Sequence, residues 1–139
     1  MSRKRQITSG GARGTLFRAV ARIRLKDADV LLNQQRHGGS LYLAGYAIEC
    51  ILKWAVTRRR GIVRLPAELE THDWDVLLSE TGLGRFLQAE PVMHTLYSEL
   101  AESWGPELRY LATAPKPTDA ENLYEKLTLL YSWIEDHAL

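Results

Sequence analysis

Apolar residues recur at helical spacing along most of the chain. From Thr15 onward, Phe17, Ala21, Leu25, Ala28, Leu31 and Leu32 follow one another at intervals of one, three or four. Arg18, Arg22, Lys26, Asp29 and Asn33 take the opposite side, as in an amphipathic helix. This predicts a first helix to about Gln35, a break at His37-Gly38-Gly39, and Ser40 as N-cap of the second helix. The second helix, Leu41 to about Arg59, is apolar nearly all round. Leu41, Ala44, Ile48, Leu52 and Ala55 form one stripe, and Leu43, Ala47, Cys50, Ile51 and Trp54 another. Such a helix belongs at the centre of a bundle. Gly45 inside it points to close helix contact, because glycine there costs about 1 kcal/mol relative to alanine. Arg58-Arg59-Arg60-Gly61 closes it, with cations where the helix dipole favours them.

The stretch between Arg64 and Pro91 is the least regular. Within it Asp73 is expected to cap a short helix, Trp74 to about Thr81, ending at Gly82. Pro91 suits the first turn of a further helix carrying Val92, Met93, Leu96, Tyr97, Leu100 and Trp104 on one side. Thr118-Asp119-Ala120-Glu121 reads as a capping box before Leu123, Tyr124, Leu127, Leu130, Tyr131 and Ile134. No strand-like alternation competes. The fold class is all-α, an antiparallel bundle of four to five helices over 15–139, preceded by a basic flexible arm, 1–14.

Composition fits that picture: 45% hydrophobic and 25% charged residues over 139 positions suit one globular domain. No apolar run reaches the length of a membrane span, and the basic N-terminus lacks a signal-peptide core. The single cysteine, Cys50, leaves no internal disulfide, so a cytoplasmic setting is expected. The net charge of +1 conceals an asymmetry. Residues 1–26 hold eight of the 18 basic residues and no acidic one, whereas the rest carries all 17 acids. A basic arm of this kind can bind phosphate or dock on the acidic face of a second copy.

Known catalytic and metal-binding motifs are absent: there is no phosphate-binding glycine loop, CxxC or HExxH, and the four histidines lie on separate segments. Neither a metal nor a cofactor is indicated. One constellation stands out. Tyr42, Tyr46, Glu49 and Lys53, spaced four, three and four apart, share one face of the central helix within about 60°. Burying Glu and Lys is costly without partners. Those partners are each other, Arg109 and Tyr110, or His72 and Asp73. An internal Glu49–Lys53 or Glu49–Arg109 ion pair is the architectural reading. The functional reading makes Glu49, Lys53, His72 and Arg109 the catalytic candidates, with Tyr42, Tyr46, Asp73, Trp104, Tyr110 and the basic Arg58, Arg59 and Arg60 binding RNA or nucleotide.

The block Ser40-Leu41-Tyr42-Leu43-Ala44-Gly45-Tyr46-Ala47-Ile48-Glu49-Cys50-Ile51-Leu52-Lys53 resembles the second-helix signature of stand-alone prokaryotic HEPN-domain proteins. Thr71-His72-Asp73 with Val76-Leu77-Leu78, then Trp104 with Leu108-Arg109-Tyr110, follow in the order of its later landmarks. The resemblance covers about residues 16–135. It implies a helical bundle that dimerises, and work beside a minimal nucleotidyltransferase in toxin–antitoxin or phage-defence systems. It also implies metal-independent RNA cleavage by an Arg and a His with four to six residues between them. This chain departs from that last pattern: Arg36 and His37 are adjacent, and Arg64–His72 and Arg85–His94 are spaced too widely. The expectation is therefore an RNA- or nucleotide-associated protein with a variant ribonuclease site. The alternative is a non-catalytic helical subunit that regulates a partner nucleotidyltransferase or other enzyme.

Overall fold

A computed structural model describes residues 11–104 and 116–139. All regular structure among them is helical. The helices are α1 (Gly14–Asn33), α2 (His37–Arg60), α3 (Trp74–Ser79), α4 (Gly84–Gln88), α5 (Pro91–Ser103) and α6 (Pro117–His137), with one 3-10 turn at Ala67–Leu69. No helix among the described residues is long and apolar enough to cross a membrane.

The reversal between α1 and α2 lies earlier than the glycines suggest. Gln35 adopts a left-handed φ of 59°. The Arg36 and Gln35 amides donate back to the Leu31 and Leu32 carbonyls at 2.8 and 3.0 Å. This is a Schellman closure with glutamine where glycine is usual. His37, Gly38 and Gly39 are consequently helical, correcting the expected break, and Ser40 is not the cap. Instead the buried Ser40 hydroxyl donates to the Ala28 carbonyl at 2.7 Å, pinning the hairpin.

From Ala44 to Thr57 every α2 residue except Tyr46 is buried. α1, α3 and α6 pack around it. Contacts between ends give the directions. Tyr124 reaches Asp29, while Glu135 takes Arg18 and Arg22, so α6 runs antiparallel to α1. Glu90 meets Trp133, and Glu99 meets Lys126, so α5 is antiparallel to α6. The four long helices therefore alternate in direction along the chain. Residues 11–13, within the expected arm, are tied down: Ala12 and Gly14 exchange backbone bonds with Leu65 and Val63 at 3.0 and 2.9 Å.

Two further boundaries differ from expectation. α6 begins at Pro117, whose preset φ suits a first helical position, so Thr118 lies inside the helix and caps nothing. α4 carries no sequence signal strong enough to announce its five residues.

Candidate functional site

Glu49, on the fourth turn of α2, has only 1% of its side chain exposed, yet both its oxygens are used. Lys53 Nζ, one turn on, lies 3.1 Å from Oε2. His72 Nδ1 lies 2.8 Å from Oε1. The ammonium of Lys53 also faces the Phe17 ring, 5.5 Å from its centroid, an attraction that helps a poorly hydrated cation. His72 comes from the loop before α3 and remains 64% exposed. An ionised carboxylate can only accept, so Nδ1 donates to Oε1, and in the neutral imidazole Nε2 keeps its lone pair for another partner. A histidine oriented in this way is suited to proton transfer.

The loop is held by its own chemistry. Asp73 N-caps α3, its Oδ1 accepting from the Asp75 and Val76 amides at 2.9 and 3.3 Å. The Thr71 hydroxyl accepts from the Asp73 amide at 3.1 Å. His72 is thereby fixed at the rim of a cavity of about 460 Å³, lined by Thr71 to Asp75 with Ala101, Glu102 and Trp104. Trp74 and Trp104 are stacked, with centroids 5.6 Å apart. Tyr42 leans on Trp104, and Tyr97 on Trp74. Gly45 makes this possible, because a Cβ there would collide with the Trp104 ring. Tyr97 donates to Asp75 Oδ1 at 2.7 Å. Burial, reinforced by that carboxylate, pushes the Tyr97 phenol far above its ordinary range. Trp74 Nε1 is buried with no hydrogen-bond partner among the described residues, where an unmet buried donor is costly.

The polar line of α2 thus runs from surface to core. Tyr42 is exposed, Tyr46 is half-buried, and Glu49 and Lys53 are buried. Tyr46 bonds the Cys50 thiol, whose negative form would oppose its own; this and burial push Tyr46 up to about 12. Burial first raises Cys50 to about 11, so the thiol is not a ready nucleophile at neutral pH. Trp104 is buried, placing it in the floor of the cavity rather than on an open stacking surface. Arg109 and Tyr110 lie outside the described residues.

The three arginines that end α2 have separate surroundings. Arg58 stacks over Trp54 and reaches the Ala138 carbonyl, and Arg60 pairs with Glu80. Arg59 packs its guanidinium against Gly82. Sequence reasoning had no means of finding the Asp75–Tyr97 contact or the seat of Arg59, because each joins a periodic helix to the irregular stretch between Arg64 and Pro91. Among the described residues no group of three His, Cys, Asp or Glu side chains could hold a metal ion. No family model, curated protein or solved structure matches this chain.

Proposed function

We propose that the protein is an RNA- or nucleotide-associated member of the HEPN type, acting through a variant site centred on His72. The observation that carries this reading is the His72–Glu49 bond at the rim of a cavity. A buried carboxylate holds the imidazole in one tautomer, with Nε2 turned away from that bond. On RNA, Nε2 takes the 2′-hydroxyl proton as that oxygen attacks the adjacent phosphorus. The bond to the departing 5′-oxygen breaks, a 2′,3′-cyclic phosphate forms, and the leaving oxygen takes a proton from solvent. Arg109 is the sequence candidate for the charge developing on phosphate. Incubating single-stranded RNA with the protein should release cyclic-phosphate ends, and His72→Ala should abolish this without loss of fold. RNA left intact by the wild-type protein would remove the catalytic part of the reading.

A second reading is favoured by two observations. Asp73, Asp75 and Glu102 line the same cavity and repel phosphate. Leu16, Ile23 and Val30, seven residues apart, lie exposed along α1, as suits a protein interface. In that case the chain is a non-catalytic subunit, self-associating or docked on a partner such as a nucleotidyltransferase. Co-purification with an enzyme encoded nearby, together with RNA affinity that hardly changes with salt, would support it.

A further inference from the structure

A second cavity borders α3. It measures about 380 Å³ and is lined by Arg59, Asp75, Leu78, Ser79, Gly82, Gly84 and Arg85. Its two arginines come from distant parts of the chain, the end of α2 and the first turn of α4. Neither belongs to an ion pair among the described residues, whereas Arg18, Arg22, Arg24 and Arg60 all do. Two unpaired guanidinium groups facing one hollow repel each other unless an anion joins them.

The hollow is also shaped around one of them. Gly82 has φ of +75°, a conformation that side-chain-bearing residues rarely adopt. A Cβ at Gly82 would overlap Arg59 Nη1 and lie 2.9 Å from Cζ. The guanidinium therefore sits against a stretch of backbone that glycine leaves open. The one acid lining the cavity, Asp75, already accepts from Tyr97 through Oδ1. The same Asp75 borders the His72 cavity, so the two hollows are neighbours.

We infer that Arg59 and Arg85 form a phosphate site, taking the tetrahedral oxyanion either free or within a nucleic-acid backbone. Two planar forks match the oxygen pairs of a phosphate. The link to RNA rests on the reading of the His72 cavity; the oxyanion site does not.

The test titrates the full-length protein with inorganic phosphate and, separately, with a single-stranded RNA oligonucleotide. Arg59→Ala and Arg85→Ala should each weaken binding by about tenfold or more, the scale of a lost charge-assisted contact. Lys126→Ala, whose ammonium is held by Glu99, should leave it within about twofold. Arg59→Lys keeps the charge but not the fork and should also bind less tightly. A loss confined to RNA assigns the site to the polymer backbone, and a loss confined to phosphate assigns it to small esters or the free ion. His72→Ala should abolish cleavage while leaving phosphate binding intact, so failure of the nuclease reading is distinguishable from failure of this one. Phosphate and RNA bound equally by wild type, Arg59→Ala and Arg85→Ala would overturn the proposal, as would no binding of either.

Discussion

Glu49 is the residue on which most of the polar interior depends. It faces an ammonium at 3.1 Å and an imidazole at 2.8 Å with almost no contact with water. Removing one partner of a buried pair leaves an uncompensated charge, which costs about 3–5 kcal/mol, more than the net worth of the pair itself. Glu49→Ala should therefore lower unfolding free energy by about that amount in urea titrations. Glu49→Ala combined with Lys53→Met should recover part of it, because the orphaned cation is gone. Equal losses in the single and double variants would show that Lys53 is not the group left stranded. Gly45 sets two effects against each other. Alanine there gains about 1 kcal/mol in helix propensity, yet its Cβ would collide with the Trp104 ring. Overpacking of this kind costs about 1–3 kcal/mol, and the ring is stacked on Trp74 with little room to retreat. Gly45→Ala should thus lower the melting temperature and alter tryptophan fluorescence; an unchanged or raised melting temperature would contradict the tight seat. The alignment of Glu49 and Lys53 was legible from their spacing alone. That His72 would be the third member was one option among several, since the loop that delivers it has no period.

At the scale of elements, helices with strong apolar stripes were read correctly in kind and place, and their ends were misjudged where unusual residues took over. Gln35 carries the left-handed turn that a sequence reader assigns to glycine, so α2 begins at His37 rather than after Gly39. Pro117 starts α6 ahead of the capping box. α2 and α6 share a further property: buried acids of high pKa. In α2, Cys50 is raised from 9.0 to about 11 by burial, and Tyr46 from 10.0 to about 12 by the thiolate beside it and by burial. In α6, burial raises Tyr124 and Tyr131 to about 12. Each group holds its proton more firmly folded than unfolded. Their contribution is complete below the unfolded values and is lost as pH rises through the folded ones. Stability should accordingly decline from about pH 9 toward pH 12, read as a falling thermal midpoint. Cys50→Ala should flatten the first part of that decline. A midpoint constant from pH 9 to 11 would contradict the shared cause.

For the whole molecule, the arrangement around α2 determines which parts can open independently. α1 and α6 are clamped together through Glu135, and α5 joins α6 through Glu90 and Glu99. All of these clamps lie toward the outside, whereas α2 between Ala44 and Thr57 is enclosed on nearly every side. Opening any peripheral helix leaves that segment partly covered, so its amides exchange only when every neighbour has gone. α4, with five residues and both Arg85 and Phe86 exposed, has few contacts to lose. Native-state hydrogen exchange should therefore find the slowest amides between Ala44 and Thr57, at free energies equal to global unfolding. The amides of α3 and α4 should exchange through smaller openings. Since α3 lines both the His72 cavity and the Arg59–Arg85 hollow, such an opening would alter both together. Ligand bound in either hollow should slow exchange in α3 before it changes α2. If α5 or α6 proved more protected than α2, or if α3 exchanged only with global unfolding, the molecule would instead behave as one rigid block. The two cavities would then share no mobile element.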